Sequence, residues 1–192
     1  MEKLTGLKKI KTAVFISGAG SNLKSIIKFS KLKKSPISIN LIISNTRLAK
    51  GLKYADQFRI KKQIFNFINF KEAEKNILIL LKKDKIKFVC LAGFMKILSK
   101  NFIKKVDGKI VNIHPSLLPK YKGLNTHSRA IKSNDKFTGC TVHYVIGSLD
   151  SGKIILQKRV KIAVRDNPAS LAKKVLKQEH KLYPAAIIKI FN

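Results

Sequence analysis

Residues 87–92 (KFVCLA) place the tightest constraint on the fold. After Lys87 the run is apolar without alternation, the pattern of a strand buried on both faces rather than one. Such a strand needs a layer above it and a layer below. Residues 71–85, just ahead of it, carry Ile77, Leu78, Leu80 and Leu81 inward at helical spacing. Residues 11–16 (KTAVFI) form a similar β-prone run, after which Leu23, Ile26, Ile27 and Phe29 start a helix that reaches residue 31. A strand at 37–43, a helix at 48–60, a short strand at 63–67, a helix at 102–106 and a strand at 109–113 complete the first half. Strands that alternate with helices predict a doubly wound, mostly parallel sheet with helices on both faces.

The pattern then changes. Residues 138–146 and 153–162 are β-like runs joined by a loop with glycines at 147 and 152, which reads as an antiparallel pair. Residues 168–190 close the chain as a long helix with Pro168 near its start. Pro184 inside it is expected to kink it or split it in two. No repeat, low-complexity tract or linker divides the chain. The expectation is one α/β domain over residues 1–192, with a parallel half at about 11–110 and an antiparallel, helix-closed half at about 111–192. A chain of 192 residues buries enough surface to fold without a staple. Cys90 and Cys140 lie in apolar segments without metal-ligand spacing and read as buried, reduced thiols. No stretch reaches the roughly 18 apolar residues of a membrane span. Residues 1–11 carry charge with no signal-like apolar run behind it. Together these point to a cytoplasmic protein.

The net charge of +31 raises a nucleic-acid reading. Arginine stands only at 47, 59, 129, 159 and 165, leaving 36 lysines among the 41 basic residues. Base-edge readout favours the planar fork of arginine. The lysines are spread over the whole chain without aromatic interleaving. The charge is therefore read as compositional drift on solvated faces, against specific nucleic-acid binding.

Three places carry chemistry. Between the first strand and helix, residues 17–22 (SGAGSN) gather backbone N–H groups at a helix N-terminus, a ready anion site. No Gly-Lys-Ser/Thr follows, so it is not a P-loop. Leu23 stands at the third glycine position of a dinucleotide fingerprint, and no acid follows the second strand, so a single phosphate is favoured over NAD. The second place is 112–119 (NIHPSLLP). By alternation Asn112 and His114 leave a strand end on one side, where an amide and an imidazole can polarise a carbonyl and move a proton. Pro115 and Pro119 suggest a rigid turn behind His114. The third is Asp150, which alone is an ordinary turn residue but beside a histidine favours the imidazolium. His127 is read as part of a helix start and His143 as packing in a strand, while His180 neighbours Glu179; no histidine pair has zinc spacing.

The segments 16–22 (ISGAGSN), 91–99 (LAGFMKILS), 112–121 (NIHPSLLPKY), 139–143 (GCTVH) and 149–152 (LDSG) occur in that order. Together they resemble the phosphoribosylglycinamide formyltransferases, folate-dependent enzymes of purine biosynthesis. The resemblance runs from about residue 11 to the C-terminus. It implies a Rossmann-like formyltransferase fold and formyl transfer from 10-formyltetrahydrofolate to the glycinamide amine of the ribotide, without a metal. It further implies that Asn112 holds the formyl oxygen and that His114 is the general acid, kept protonated by Asp150 with an ordered water. Gly20, Ser21, Asn22 and Glu179 match ribotide-binding positions. Lys71, Met95, Lys96, Ile97, Leu98, Asn112, Ile146, Gly147, Ser148, Leu149 and Asp150 match folate-binding positions. Lys71 replaces a usual arginine after a shortened loop at 66–70, Lys122 a proline and Asn125 a histidine. The implied assembly is a monomer or homodimer.

Two related activities are disfavoured by segment lengths. Methionyl-tRNA formyltransferases carry a further C-terminal domain, and only about 40 residues follow Asp150. Formyltetrahydrofolate deformylases add an N-terminal domain, and only about ten residues precede the first strand. A basic nucleic-acid-binding α/β module has no need of Asn112, His114 and Asp150 together.

Overall fold

The computed structural model describes residues 9–192. Its strands are β1 (Ile10–Ile16), β2 (Ile37–Ser44), β3 (Lys61–Ile64), β4 (Phe88–Leu91), β5 (Lys109–His114), β6 (Phe137–Tyr144) and β7 (Ile154–Lys161). They form one sheet in the order β3-β2-β1-β4-β5-β6-β7. Pairing is parallel from β3 through β5, and β6 and β7 add antiparallel.

The helices are α1 (Ser21–Ser30), α2 (Lys53–Phe58), α3 (Phe70–Lys83), α4 (Lys100–Lys105), α5 (Thr126–Lys132) and α6 (Pro168–Phe191). Two cores result, one on each side of the sheet. Val14, Ile42, Phe88, Cys90 and Val111 face Leu23 and Ile27 of α1 and Val175 and Tyr183 of α6. Phe15, Leu41, Val89, Leu91 and Ile110 face Ile77 and Leu81 of α3 and Phe102 of α4. All four residues of β4 are buried, with alternate side chains in opposite cores, as its unbroken apolar run predicts.

Three expectations need correction. The helix expected at 48–60 is a 3-10 turn, Lys50–Leu52, followed by the short α2, which ends where Arg59 turns left-handed at φ 53°. The strand expected at 63–67 lies at Lys61–Ile64. The closing helix is not split at Pro184: α6 is continuous over 24 residues. A proline at 184 cannot donate to the carbonyl four residues back. That carbonyl, of His180, instead accepts the Ser25 hydroxyl of α1 at 2.9 Å.

The order in which strands are added switches between the parallel neighbours β1 and β4, from which the fold winds both ways. Open α/β sheets bind ligands outside the strand C-termini at this point. The segments that leave β1 and β4 are tied together there. Ser17 N–H donates to the Gly93 carbonyl at 3.1 Å, and Met95 N–H to the Ser17 hydroxyl at 2.8 Å.

Candidate active site

Asn112 and His114 are the fourth and last residues of β5. They share the face opposite Val111 and Ile113, so neither joins the α1–α6 core. The antiparallel register places His143 of β6 directly across from Asn112 and Thr141 across from His114. Asp150 arrives from the β6–β7 connection in a left-handed turn, φ 45°. Gly152 beyond it lets that turn fold tightly, since a Cβ there would meet the Tyr144 carbonyl at 1.8 Å.

These side chains converge. His114 Nδ1 is 3.3 Å from Asp150 Oδ2, both side chains being over nine-tenths buried. His143 Nε2 is 3.6 Å from Asp150 Oδ1 and 3.3 Å from Asn112 Nδ2. His143 Nδ1 donates to the Tyr144 carbonyl at 2.9 Å, while Nε2 accepts from Asn112 when it carries no proton and donates to Asp150 when it does. One Asn112 amide hydrogen remains for a ligand. Gly123 N–H donates to Asp150 Oδ2 at 2.9 Å. Burial pushes the Asp150 carboxyl up, but the His143 contact, the Gly123 N–H and the charge of His114 outweigh it and hold the group below its usual range. Burial dominates at His114 and pulls its pKa below 6.5, although the Tyr121 carbonyl and then Asp150 act the other way.

The cluster opens on a cleft of about 720 Å³. One end holds Asn22 and Glu179, joined by a hydrogen bond of 2.6 Å from Asn22 Nδ2 to Glu179 Oε2. Burial raises the pKa of that carboxyl, and the Asn22 bond opposes the rise. Asn22 belongs to the first turn of α1, which has no side-chain cap. Gly20 N-caps it at φ 73°, and its Cα side is closed by Gly51, which a Cβ would meet at 2.6 Å. Gly20 and Ser21 lie beside the cleft but are not part of its lining.

The other end is lined by Met95, Lys96, Ile97, Leu98, Ile146, Gly147, Ser148 and Leu149. Met95, Ile97, Ile146 and Leu149 are between 46% and 68% exposed, an apolar rim suited to a flat heteroaromatic ring. Residues 95–98 and 146–149, on the two sides, lie outside helices and strands. Residue 71 is different: Lys71 is an exposed second residue of α3 and is not part of the lining. Lys122 donates to the Ser151 hydroxyl at 2.6 Å and ties the loop after β5 to the Asp150 turn. Asn125 N-caps α5 in the left-handed region, φ 59°, without a side-chain cap bond.

The sequence reading missed two residues of the cluster. His143 reads as strand packing, because the register that sets it against Asn112 is not visible locally. His127 lines the cleft with a buried Nδ1 that has no partner. Burial and the nearby His114 lower its pKa. Among the described residues no group of three or more His, Cys, Asp or Glu is arranged to hold a metal ion. The two thiols are poor nucleophiles: burial, then the charge of Glu179, pushes Cys140 up to about 12, and burial raises Cys90 further.

A family model for formyl transferases matches residues 10–187. The human trifunctional purine biosynthetic protein adenosine-3 is 43% identical over 183 residues, which are 94% of this chain but 18% of that protein. The chain thus spans about a fifth of these long relatives. The phosphoribosylglycinamide formyltransferase of Haemophilus influenzae is 42% identical over 180 residues, 92% of this chain and 85% of that protein. The crystal structure of phosphoribosylglycinamide formyltransferase from Brucella melitensis superposes with a TM-score of 0.90 at 40% identity, covering 95% of this chain and 96% of that one. The chain therefore belongs to the formyl transferase family, in its phosphoribosylglycinamide formyltransferase branch.

Proposed function

We propose that the chain transfers the formyl group of 10-formyltetrahydrofolate to the amine of N1-(5-phospho-D-ribosyl)glycinamide, in purine synthesis. One observation carries this reading. Asn112, His114 and Asp150 line a single cleft, with His114 Nδ1 3.3 Å from Asp150 Oδ2. One end of it offers an uncapped helix start with Asn22 and Glu179, and the other an apolar rim with irregular backbone.

The first end suits an anionic sugar. Gly20, Ser21 and Asn22 present first-turn N–H groups of α1 to the phosphate, and Glu179 accepts from the ribose or the glycinamide. The second end suits the folate. Residues 95–98 and 146–150 sandwich the pterin, while Lys96 and, from outside the lining, Lys71 attract the anionic tail. The folate supplies the activated formyl group. Attack by the amine puts negative charge on the formyl oxygen, and the free Asn112 amide hydrogen meets it there. His114 relays the proton shed by the amine to the departing folate nitrogen. Asp150 stabilises the ring while it carries that proton. No metal takes part in this scheme.

The assembly we propose is a monomer or a homodimer. No helix among the described residues is long and apolar enough to cross a membrane. Buried thiols at Cys90 and Cys140 fit the reducing cytoplasm, where we place the reaction. The test is an absorbance assay with purified protein: the folate product should form with the ribotide present and not without it. Release of folate in the absence of ribotide would favour hydrolysis instead.

A further inference from the structure

The loop between β5 and α5 does more than close the cleft. His114 Nε2 lies 2.8 Å from the carbonyl of Tyr121. Tyr121 does not line the cleft, whereas Asp150, on the Nδ1 side of the ring, does. The Nε2 edge is therefore the anchored edge of the imidazole and the Nδ1 edge the working one. The Tyr121 backbone that supplies the anchor has φ 55°, a left-handed conformation that an aromatic residue rarely adopts. Something must hold it there.

The ring of Tyr121 is the handle. Its hydroxyl donates to Asp135 Oδ2 at 2.9 Å, and the Arg129 guanidinium stacks over its face at 5.1 Å. Arg129 also donates to the Lys122 carbonyl at 2.7 Å, next along the loop. Asp135 further accepts from Lys120 Nζ at 3.1 Å, and the Ser116 hydroxyl donates to the Lys120 carbonyl at 2.6 Å. All of these contacts bear on residues 116–122, the loop that carries this carbonyl.

We infer that Asp135, acting through Tyr121, is a positioning residue that sets the orientation and proton affinity of His114. The inference rests on the proposed role of His114 in proton transfer. Tyr121 O can only accept, so it fixes the Nε2–H tautomer of the neutral ring and stabilises the doubly protonated one. The other groups that face this ring are Asp150 from the β6–β7 turn, His143 of β6, and Arg129 and His127 of α5. Asp150 favours the imidazolium, and the two histidines and the arginine, when charged, oppose it.

The test is a histidine NMR titration of the free, full-length protein, with the His114 signal assigned through His114→Gln. Tyr121→Phe removes the hydroxyl without changing charge and keeps the ring under Arg129. It should lower the His114 midpoint by about half a pH unit. Asp135→Ala should do the same, Asp135→Asn should restore most of the effect, and the Tyr121→Phe/Asp135→Ala double variant should shift no further than either single one. The alkaline limb of kcat should move with the midpoint while both KM values stay within about twofold. An unmoved midpoint in folded Tyr121→Phe would overturn the inference, and so would additive shifts in the double variant, which would mean that Asp135 acts through space. The titration needs no substrate. A shifted midpoint without any turnover would sink the proposed reaction alone, and turnover with a fixed midpoint would sink this inference alone.

Discussion

His114 Nδ1 faces Asp150 Oδ2 at 3.3 Å while the opposite nitrogen of the same ring is committed to the Tyr121 carbonyl. In the neutral ring this turns a lone pair toward a carboxylate, and the contact becomes attractive only when a second proton arrives. Burial meanwhile pulls the His114 pKa down, against Tyr121 and Asp150. The ring is thus able to take a proton during the reaction and to lose it again, which a permanently charged imidazolium cannot do. Asp150→Asn removes the charge that opposes burial. His114 should then lose its proton at lower pH, and the alkaline limb of kcat should move down with it. We expect kcat to fall about 100-fold at neutral pH. A pH profile superimposable on the parent's would contradict this role for Asp150.

Asn112→Ala tests the oxyanion contact. The amide donates one hydrogen toward His143 and keeps the other for the cleft. Loss of one such donor typically costs 100- to 1,000-fold in turnover. The variant should hold its circular dichroism spectrum and melting temperature, because Asn112 is only partly buried and contributes to neither core. A kcat within threefold of the parent's would remove Asn112 from the mechanism.

Acid should loosen the fold before the carboxylates titrate. His114, His127 and His180 all have pKa values lowered by burial first, with nearby His114 adding to the effect at His127. The unfolded chain, with ordinary values near 6.5, binds protons there that the native protein refuses. Stability is therefore unaffected above pH 6.5 and falls as the pH drops below it, toward the native pKa values. Asp150, lowered in the fold, adds a loss only below about pH 4, and Glu179, raised by burial, acts in the opposite direction above 4.5. The melting temperature should decline between pH 6.5 and 5.5. His180→Gln, outside the cleft, should flatten that decline, and an equally steep decline in the variant would rule out His180 as a contributor.

The sequence exposes the parts of this molecule that are set by neighbours along the chain. The unbroken apolar run at β4 implies two covering layers, and both exist. Asn112 and His114 share a side of β5 because a strand alternates. What stays hidden depends on contacts between distant segments. His143 looks like packing until β6 pairs with β5 in the register that faces it to Asn112. Pro184 looks like a helix break until α1 brings a hydroxyl to the abandoned carbonyl, 155 residues away along the chain. Tyr121 carries no local mark of its left-handed backbone, and the groups that hold its ring, Asp135 and Arg129, lie beyond the loop.

Glu179→Gln separates ribotide binding from catalysis. The carboxylate is 7% exposed, and its hydrogen-bonding side-chain partner is Asn22 in the first turn of α1. The amide keeps the shape and loses one strong acceptor, so a ribose hydroxyl or an amine bound there loses a charge-assisted hydrogen bond. KM for the ribotide should rise about tenfold or more, with KM for the folate donor unchanged. An effect on the donor alone would place Glu179 at the wrong end of the cleft.

The bond between Ser25 and the His180 carbonyl gives a stability prediction independent of the reaction. Pro184 leaves that carbonyl without its helical donor, and the Ser25 hydroxyl takes the place at 2.9 Å. Ser25→Ala in the parent should therefore strand a carbonyl between α1 and α6 and cost about 1–2 kcal/mol. Pro184→Ala restores an N–H that can close the helical bond, so the same serine change should cost well under half as much in that background. Urea unfolding of the four proteins yields the coupling directly. If Ser25→Ala costs the same with proline or alanine at 184, the hydroxyl is not substituting for the missing N–H. The continuity of α6 through Pro184 would then need another source.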